Sequence, residues 1–299
     1  MPHVSVSDFY KQKFGAKVYK ISLDAGCTCP TRDGTLGTKG CIFCSANGSG
    51  DFVPSKKLSI SEQIEEAKLL LATKLKLNKN PSQHKKFIAY FQNFTNTYGN
   101  LEKLRSQWEE AISCPDVVGI AIGTRPDCLS PECLKVLTQL AEKTYVQIEL
   151  GFQTSNSHSA KYIRRGFENQ VYSQAVASLH AASSKIHVVT HVIFGLPGEN
   201  SEQMMNSVKF AVDAGTDGLK IMNLYILKGT DLAEDYLAGK IAALEMEEYM
   251  DLLKQALAII PQNIIIHRLN GDPPKSLLIA PKWVENKKMV MNRLKLLEN

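Results

Sequence analysis

The chain has 299 residues, 44% of them hydrophobic, and a formal net charge of +5. That length can bury one large core. With no apolar run of bilayer length and no leader pattern at the start, the chain is expected to be soluble and cytoplasmic, without a membrane partner. The mild positive charge permits a nucleic-acid partner without requiring one.

Residues 1–16 read as a short amphipathic lead-in, and VYKISLD (18–24) as a first strand running straight into a cysteine-rich loop. A helix follows from Ser59, where Ser59-x-x-Glu62 is a capping box ahead of apolar residues at helical spacing. FIAYFQ (87–92) is a second strand, 101–113 a helix and VVGIAIGT (117–124) a third strand. Ser130 and Pro131 open the next helix as N-cap and first-turn residue. YVQIELGF (145–152) is a fourth strand, followed by a helix from about 168 to 183. HVVTHVIFGL (187–196) is the fifth strand, and Ser201 is expected to cap a helix ending before Gly215. GLKIMNLYI (218–226) reads as strand six, 245–260 as a helix, IIIHRL (264–269) as a short seventh strand and 282–297 as a terminal helix. Strands rich in Val and Ile alternating with helices imply parallel βαβ units. Six such units make an α/β fold, a partial, open (β/α)6 TIM-like barrel. No repeat or linker divides the chain, so the lead-in (1–16), a core (17–260) and a C-terminal cap (261–299) form one domain.

Four of the seven cysteines, Cys27, Cys29, Cys41 and Cys44, fall within residues 24–47. Thiols this dense, without a secretory signal, point to metal rather than disulfides. Zinc would take four thiolates in a closed tetrahedral shell. An iron–sulfur cluster also takes thiolates, and a [4Fe–4S] cluster held by three leaves one iron open. Cys27 and Cys29 project to the same side of an extended segment, so spacing leaves both readings standing. Cys114, Cys128 and Cys133 show no CxxC pairing and read as small buried hydrophobes.

The run KVYKISLDAGCTCPTRDGTLGTKGCIFCS (17–45) resembles the opening of the YhcC/YtqA-type radical SAM proteins, small relatives of the radical SAM half of the elongator catalytic subunit. The resemblance recurs in order at FQNFTNTY (91–98), IAIGTRPDCLSPECL (120–134), ELGFQTSN (149–156), YIRRGF (162–167), THVIFGLPGE (190–199), DGLKIMNLYILKGTDL (217–232) and RLNGD (268–272). It implies the radical SAM type of barrel, with Cys29, Cys41 and Cys44 as ligands of a [4Fe–4S] cluster. Cys27 stands where a Phe is usual and becomes a bystander. The open iron would bind S-adenosylmethionine, whose reductive cleavage gives a 5′-deoxyadenosyl radical that abstracts hydrogen. An electron donor of the flavodoxin or ferredoxin type is then implied.

Barrels of this kind carry their sites at the C-terminal strand ends, where every matched motif falls. The resemblance places the cofactor's methionine amino group near Gln92, Thr95 and Asn96, although the Gly-Gly-Glu often found there is missing. Thr124 and Arg125 precede Pro126 in an extended segment that aims them at the mouth. Glu149 and Gln153 belong to the fourth strand end, where Gln meets the ribose in related sequences. Arg165 aligns with an Arg that pairs with the cofactor carboxylate, a task suited to a guanidinium fork, and Arg164 is read as a surface residue. His191 sits where a polar residue contacts the ribose, and Gly195 lets backbone approach the adenine.

Lys220, Asn223, Tyr225 and Lys228 are expected on the substrate side, where Met222 and Tyr225 replace the His of relatives. Trp283 reads as core. The resemblance implies modification of a wobble-uridine side chain in transfer RNA. The elongator's acetyl-transfer domain and basic tail are not seen, so RNA contact is expected from the barrel rim or a partner. Basic stretches at 74–86 and 287–295 suit phosphate but read first as solvated surface. A radical SAM enzyme on a small metabolite, and a zinc-stabilised binding module, are the alternatives.

Overall fold

In the computed structural model, which describes residues 3–48, 53–75 and 85–297, the β-branched runs form a curled sheet of parallel strands. β1 (Val18–Leu23), β2 (Lys86–Phe91), β3 (Val117–Thr124), β4 (Tyr145–Gln153), β5 (Ile186–Phe194) and β6 (Gly218–Asn223) lie side by side in chain order. The expected sixth strand stops at Asn223, and its last residues form a separate short strand, β7 (Ile226–Leu227). β8 (Ile265–Arg268) then joins β6 in parallel, with Ile265 opposite Gly218. The short seventh strand expected at 264–269 is therefore present and extends the six-stranded half-barrel. β9 (Leu278–Ala280) pairs with β7 in a small antiparallel sheet.

Helices connect the strands. They are α1 (Val6–Phe14), α2 (Ile60–Leu75), α3 (Leu101–Ser113), α4 (Pro131–Lys143), α5 (Ser157–Tyr162), α6 (Asn169–Ala182), α7 (Ser201–Asp213), α8 (Asp231–Leu237), α9 (Met246–Ile259) and α10 (Lys287–Leu297). The capping box before α2 forms in both directions: Ser59 N donates to Glu62 Oε2 at 2.8 Å and Glu62 N to Ser59 Oγ at 3.3 Å. Before α7 the cap is Asn200 rather than Ser201, because Asn200 and Gln203 make the reciprocal pair. The expected terminal helix is broken, with a 3₁₀ turn at Lys282–Glu285 ahead of α10.

Alternation along the strands separates two environments. Outward residues such as Leu23, Phe91, Ile122, Ile148 and Val192 pack against Trp108, Leu137, Tyr172 and Leu253 from the helices. Each such burial stabilises the fold by about 1.5–3 kcal/mol. Inward residues include Lys20, Tyr90, Gln147, Glu149, His191 and Lys220, so the lumen is polar and charged. α1 closes its N-terminal end, where Tyr10 packs with Ile88, Ala121 and Tyr145. No helix among the described residues is long and apolar enough to cross a membrane.

Candidate active site

The loop after β1 brings three thiols together at the open end of the barrel. Arg32 braces it, donating to the carbonyls of Cys44 (3.2 Å) and Ser45 (2.7 Å). Gly40 has φ +73°, and a Cβ there would lie 2.8 Å from Arg32 Nε, so the position suits glycine alone. Cys41 and Cys44 share a hydrogen bond that, with nearby Arg125, Arg32 and Arg164, brings the Cys41 thiol down to about 7. The same bond raises Cys44. Cys29 feels both other sulfurs electrostatically, and its Sγ is 2.9 Å from Thr95 Oγ1.

Cys27 senses Asp24, Lys103 and Cys29, and neither Cys41 nor Cys44 is among the groups that shift it. Among the described residues, no three His, Cys, Asp or Glu side chains converge closely enough to ligate a single ion. Cys29, Cys41 and Cys44 sense one another while Cys27 senses only Cys29, one thiol fewer at the mouth than a closed four-thiolate zinc shell takes.

The segment after β2 passes beside these thiols. Thr95 is fully buried and its N–H donates to Thr28 O. Asn93 Nδ2 donates to Asp24 Oδ2 at 2.8 Å, and Asn96 Nδ2 donates to the carbonyls of Asn93 and Gly123 at 3.0 Å each. Both amide oxygens, Asn93 Oδ1 and Asn96 Oδ1, are buried without a hydrogen-bond partner. A buried acceptor left unmade costs about 1–3 kcal/mol. Two of them beside a thiol cluster fit a cationic amino group, such as the one S-adenosylmethionine carries.

Thr124 Oγ1 lies 2.6 Å from Thr97 Oγ1, and Arg125 forms a two-point pair with Asp127 at 2.9 and 2.7 Å. Gln153 ends β4 at φ +65° beside the mouth. Arg165 departs from expectation. Its guanidinium donates to Phe167 O twice, to Phe152 O, to Thr154 O and to Asn169 Oδ1. All five N–H groups are taken by the protein, so here the residue pins the β4–α5 connection instead of facing a carboxylate. Arg125 and Arg32 are the arginines whose charges reach Cys29 as well as Cys41. Arg164 is part-exposed and pairs with Asp231. The space at Gly195 is also used by the protein: a Cβ there would lie 2.8 Å from Leu244.

Glu149 and His191 lie below the mouth, in the lumen. The Glu149 carboxylate is fully buried and accepts from Lys20 Nζ (2.6 Å), Gln147 Nε2 (2.6 Å), Tyr90 Oη (2.6 Å), His191 Nε2 (2.8 Å) and Lys220 Nζ. Its burial opposes ionisation, but the Lys20 and Lys220 ammonium groups and His191 hold its pKa well below the usual carboxylate range. Burial in turn lowers Lys220 to about 7. Lys20, Tyr90 and Asn93 were not singled out from the sequence. The available signal was a polar residue at inward parity in an apolar strand, or one step before a matched motif.

The remaining substrate-side candidates separate. Asn223 is buried and accepts from Gly271 N at 3.3 Å, whereas Lys228 is exposed. Trp283 is partly buried, stacks on Tyr249 at 5.6 Å and donates to Leu244 O, as core. Most of the basic stretch at 74–86 lies outside the described residues.

The model of the Radical SAM superfamily matches residues 35–211, and that of the Radical_SAM C-terminal domain matches residues 216–296. The Bacillus subtilis protein YtqA is 41% identical over 290 residues, covering 97% of this chain and 87% of its own. The tRNA uridine(34) acetyltransferase of Methanocaldococcus infernus is 26% identical over 165 residues, 54% of this chain and 30% of that protein. The solved structure of Methanocaldococcus infernus Elp3 superposes with a TM-score of 0.67 at 17% identity, over 94% of this chain and 63% of that one.

Proposed function

The chain belongs to the radical SAM superfamily and is an enzyme whose cofactors are a [4Fe–4S] cluster and S-adenosylmethionine, and from that premise we propose that Cys29, Cys41 and Cys44 hold the cluster. This membership displaces the zinc-module alternative. When bound, the two groups supply reductive cleavage of the sulfonium bond and a 5′-deoxyadenosyl radical that abstracts hydrogen. The chain's own part is positioning and exclusion of water. Thr95 orients Cys29, and Arg125 adds positive charge beside the thiolates. Asn93 and Asn96 turn their vacant acceptors to the cofactor's amino group, Arg125 takes its carboxylate and Gln153 meets its ribose. Thr124 holds the adjoining loop through Thr97. The observation that carries this reading is the meeting of three mutually sensing thiols, through the 2.9 Å contact of Cys29 with Thr95, with the segment whose Asn93 and Asn96 amide oxygens are buried and unpartnered.

The substrate in this reading is a wobble-uridine side chain of transfer RNA. Support comes from the similarity to the tRNA uridine(34) acetyltransferase and from the basic stretches at 74–86 and 287–295. The electron enters from a donor of the flavodoxin or ferredoxin type. An anaerobic assay for 5′-deoxyadenosine, run with and without bulk transfer RNA, tests it. RNA-stimulated turnover is expected. Turnover indifferent to RNA transfers the reading to a small-molecule substrate.

A further inference from the structure

The lumen floor is rich in donors and short of acceptors. Five donors converge on Glu149, while a carboxylate offers about four lone-pair sites. Lys20 and Lys220 each carry three ammonium N–H groups, and among the described residues each makes one hydrogen bond, to Glu149. Both ammonium groups flank the Tyr90 ring, at 5.1 and 4.8 Å from its centroid. One negative charge thus sits between the Lys20 ammonium and Lys220, whose charged form burial disfavours, in a barrel interior where unpaired charge is costly.

The layer is also reachable. Lys20 and His191 keep about a fifth of their side chains exposed, at 21% and 20%, although both stand mid-strand. β3 presents Gly123 opposite Glu149 and β4 presents Gly151 at the next inward position toward the mouth, so neither strand puts a Cβ over the ammonium groups, and the Gln153 side chain lies over Gly151, its Nε2 2.6 Å from where a Cβ would stand.

We propose that Lys20 and Lys220, held apart by Glu149, form the specificity-determining floor of the substrate site and receive a carboxylate on the reacting molecule. A carboxylate supplies acceptors only and carries the missing negative charge. It is slim enough to reach a layer one inward position below the rim, which a backbone phosphate of a nucleic acid standing outside the barrel does not reach. The inference rests on reading the mouth as the substrate entrance and deepens it. A base entering this barrel would carry an acidic substituent at its leading end.

Malonate binding to the cluster-reconstituted protein tests this, by calorimetry without S-adenosylmethionine. Malonamide and inorganic phosphate serve as comparison ligands at matched ionic strength. Malonate is expected to bind at least tenfold more tightly than malonamide, and Lys20→Met and Lys220→Met each to lose tenfold or more. Lys20→Met is the safer variant because its side chain is part-exposed, so it decides the matter should Lys220→Met fail to fold. Equal binding of malonate and malonamide, or unchanged malonate affinity in Lys20→Met, overturns the proposal. Tighter binding of phosphate than of malonate overturns the carboxylate assignment. The calorimetry itself measures no turnover, so the separate 5′-deoxyadenosine assay keeps the two readings apart: no malonate binding by the unaltered protein with 5′-deoxyadenosine still formed condemns the floor alone, and malonate binding without 5′-deoxyadenosine formation condemns only the cluster reading.

Discussion

The mouth and the floor of this barrel are a few residues apart along the same strands, yet their polar groups are arranged in opposite ways. At the mouth, buried acceptors go unanswered and sulfurs approach one another with no disulfide between them. At the floor, one carboxylate receives more donors than it has sites for. The mouth leaves two amide oxygens and three thiols for a cluster and a cationic cofactor to engage in the reading proposed above. The floor lacks acceptors, which a substrate anion supplies. The hydrogen-bonding capacity that a protein leaves unused thus shows the polarity of the group a site takes.

The largest effect that would break this contrast is at the thiols. Cys41→Ala is expected to lose essentially all bound iron after anaerobic reconstitution, while Cys27→Ala retains it; iron content per chain and visible absorbance give the answer. Equal loss in both would place Cys27 among the ligands. Next comes Glu149→Ala, which leaves two buried ammonium groups facing each other across the lumen. Removing one partner of a buried ion pair costs about 3–5 kcal/mol, so the urea midpoint should fall sharply. Thr95→Ala, at the mouth, should leave the midpoint much less changed.

The contrast also explains what could be read ahead of the structure. β3 came out with its expected bounds, because a β-branched run between a turn and a Thr-Arg-Pro stop has few other ways to fold. The thiol loop was legible because cysteine spacing is local. The floor was not, because Lys20, Tyr90, Glu149, His191 and Lys220 lie on five different strands and meet only through register. Arg165 was recognisable as a buried-site arginine, but whether its fork faces a ligand or the backbone depends on carbonyls that no motif encodes. The short α5 and α8 fall below the length at which periodicity is informative.

A smaller effect comes from the closed end of the barrel, where His187 Nε2 and His267 Nε2 stand 2.9 Å apart and Phe9 stacks on His187. Burial lowers His187 from its ordinary value to about 4, and holds His267 well below the usual histidine range. The unfolded chain therefore binds protons here first. Stability is fully present above about pH 6.5 and is lost as pH falls toward 4. At pH 5 the His187 share of that loss is about 2 kcal/mol, so the urea midpoint should fall between pH 7 and pH 5. A His187→Gln variant should fall less. An identical slope in the variant would mean that this end is already wet or protonated, which would confine the donor-rich, acceptor-poor character to the Glu149 layer.

The smallest effect probes the mouth directly. Asn96→Ser keeps a small polar group but withdraws the amide oxygen from its buried position. If that oxygen awaits an ammonium, S-adenosylmethionine affinity should fall about tenfold, the equivalent of about 1.4 kcal/mol for one lost charge-assisted bond. The variant also loses the two Nδ2 bonds to Asn93 O and Gly123 O, so stability alone does not discriminate. S-adenosylhomocysteine does: it keeps the amino group and lacks the sulfonium charge, so its affinity should drop by the same factor. A drop confined to S-adenosylmethionine would move the Asn96 contact from the amino group to the sulfonium, and with it the direction in which the cofactor lies across the barrel.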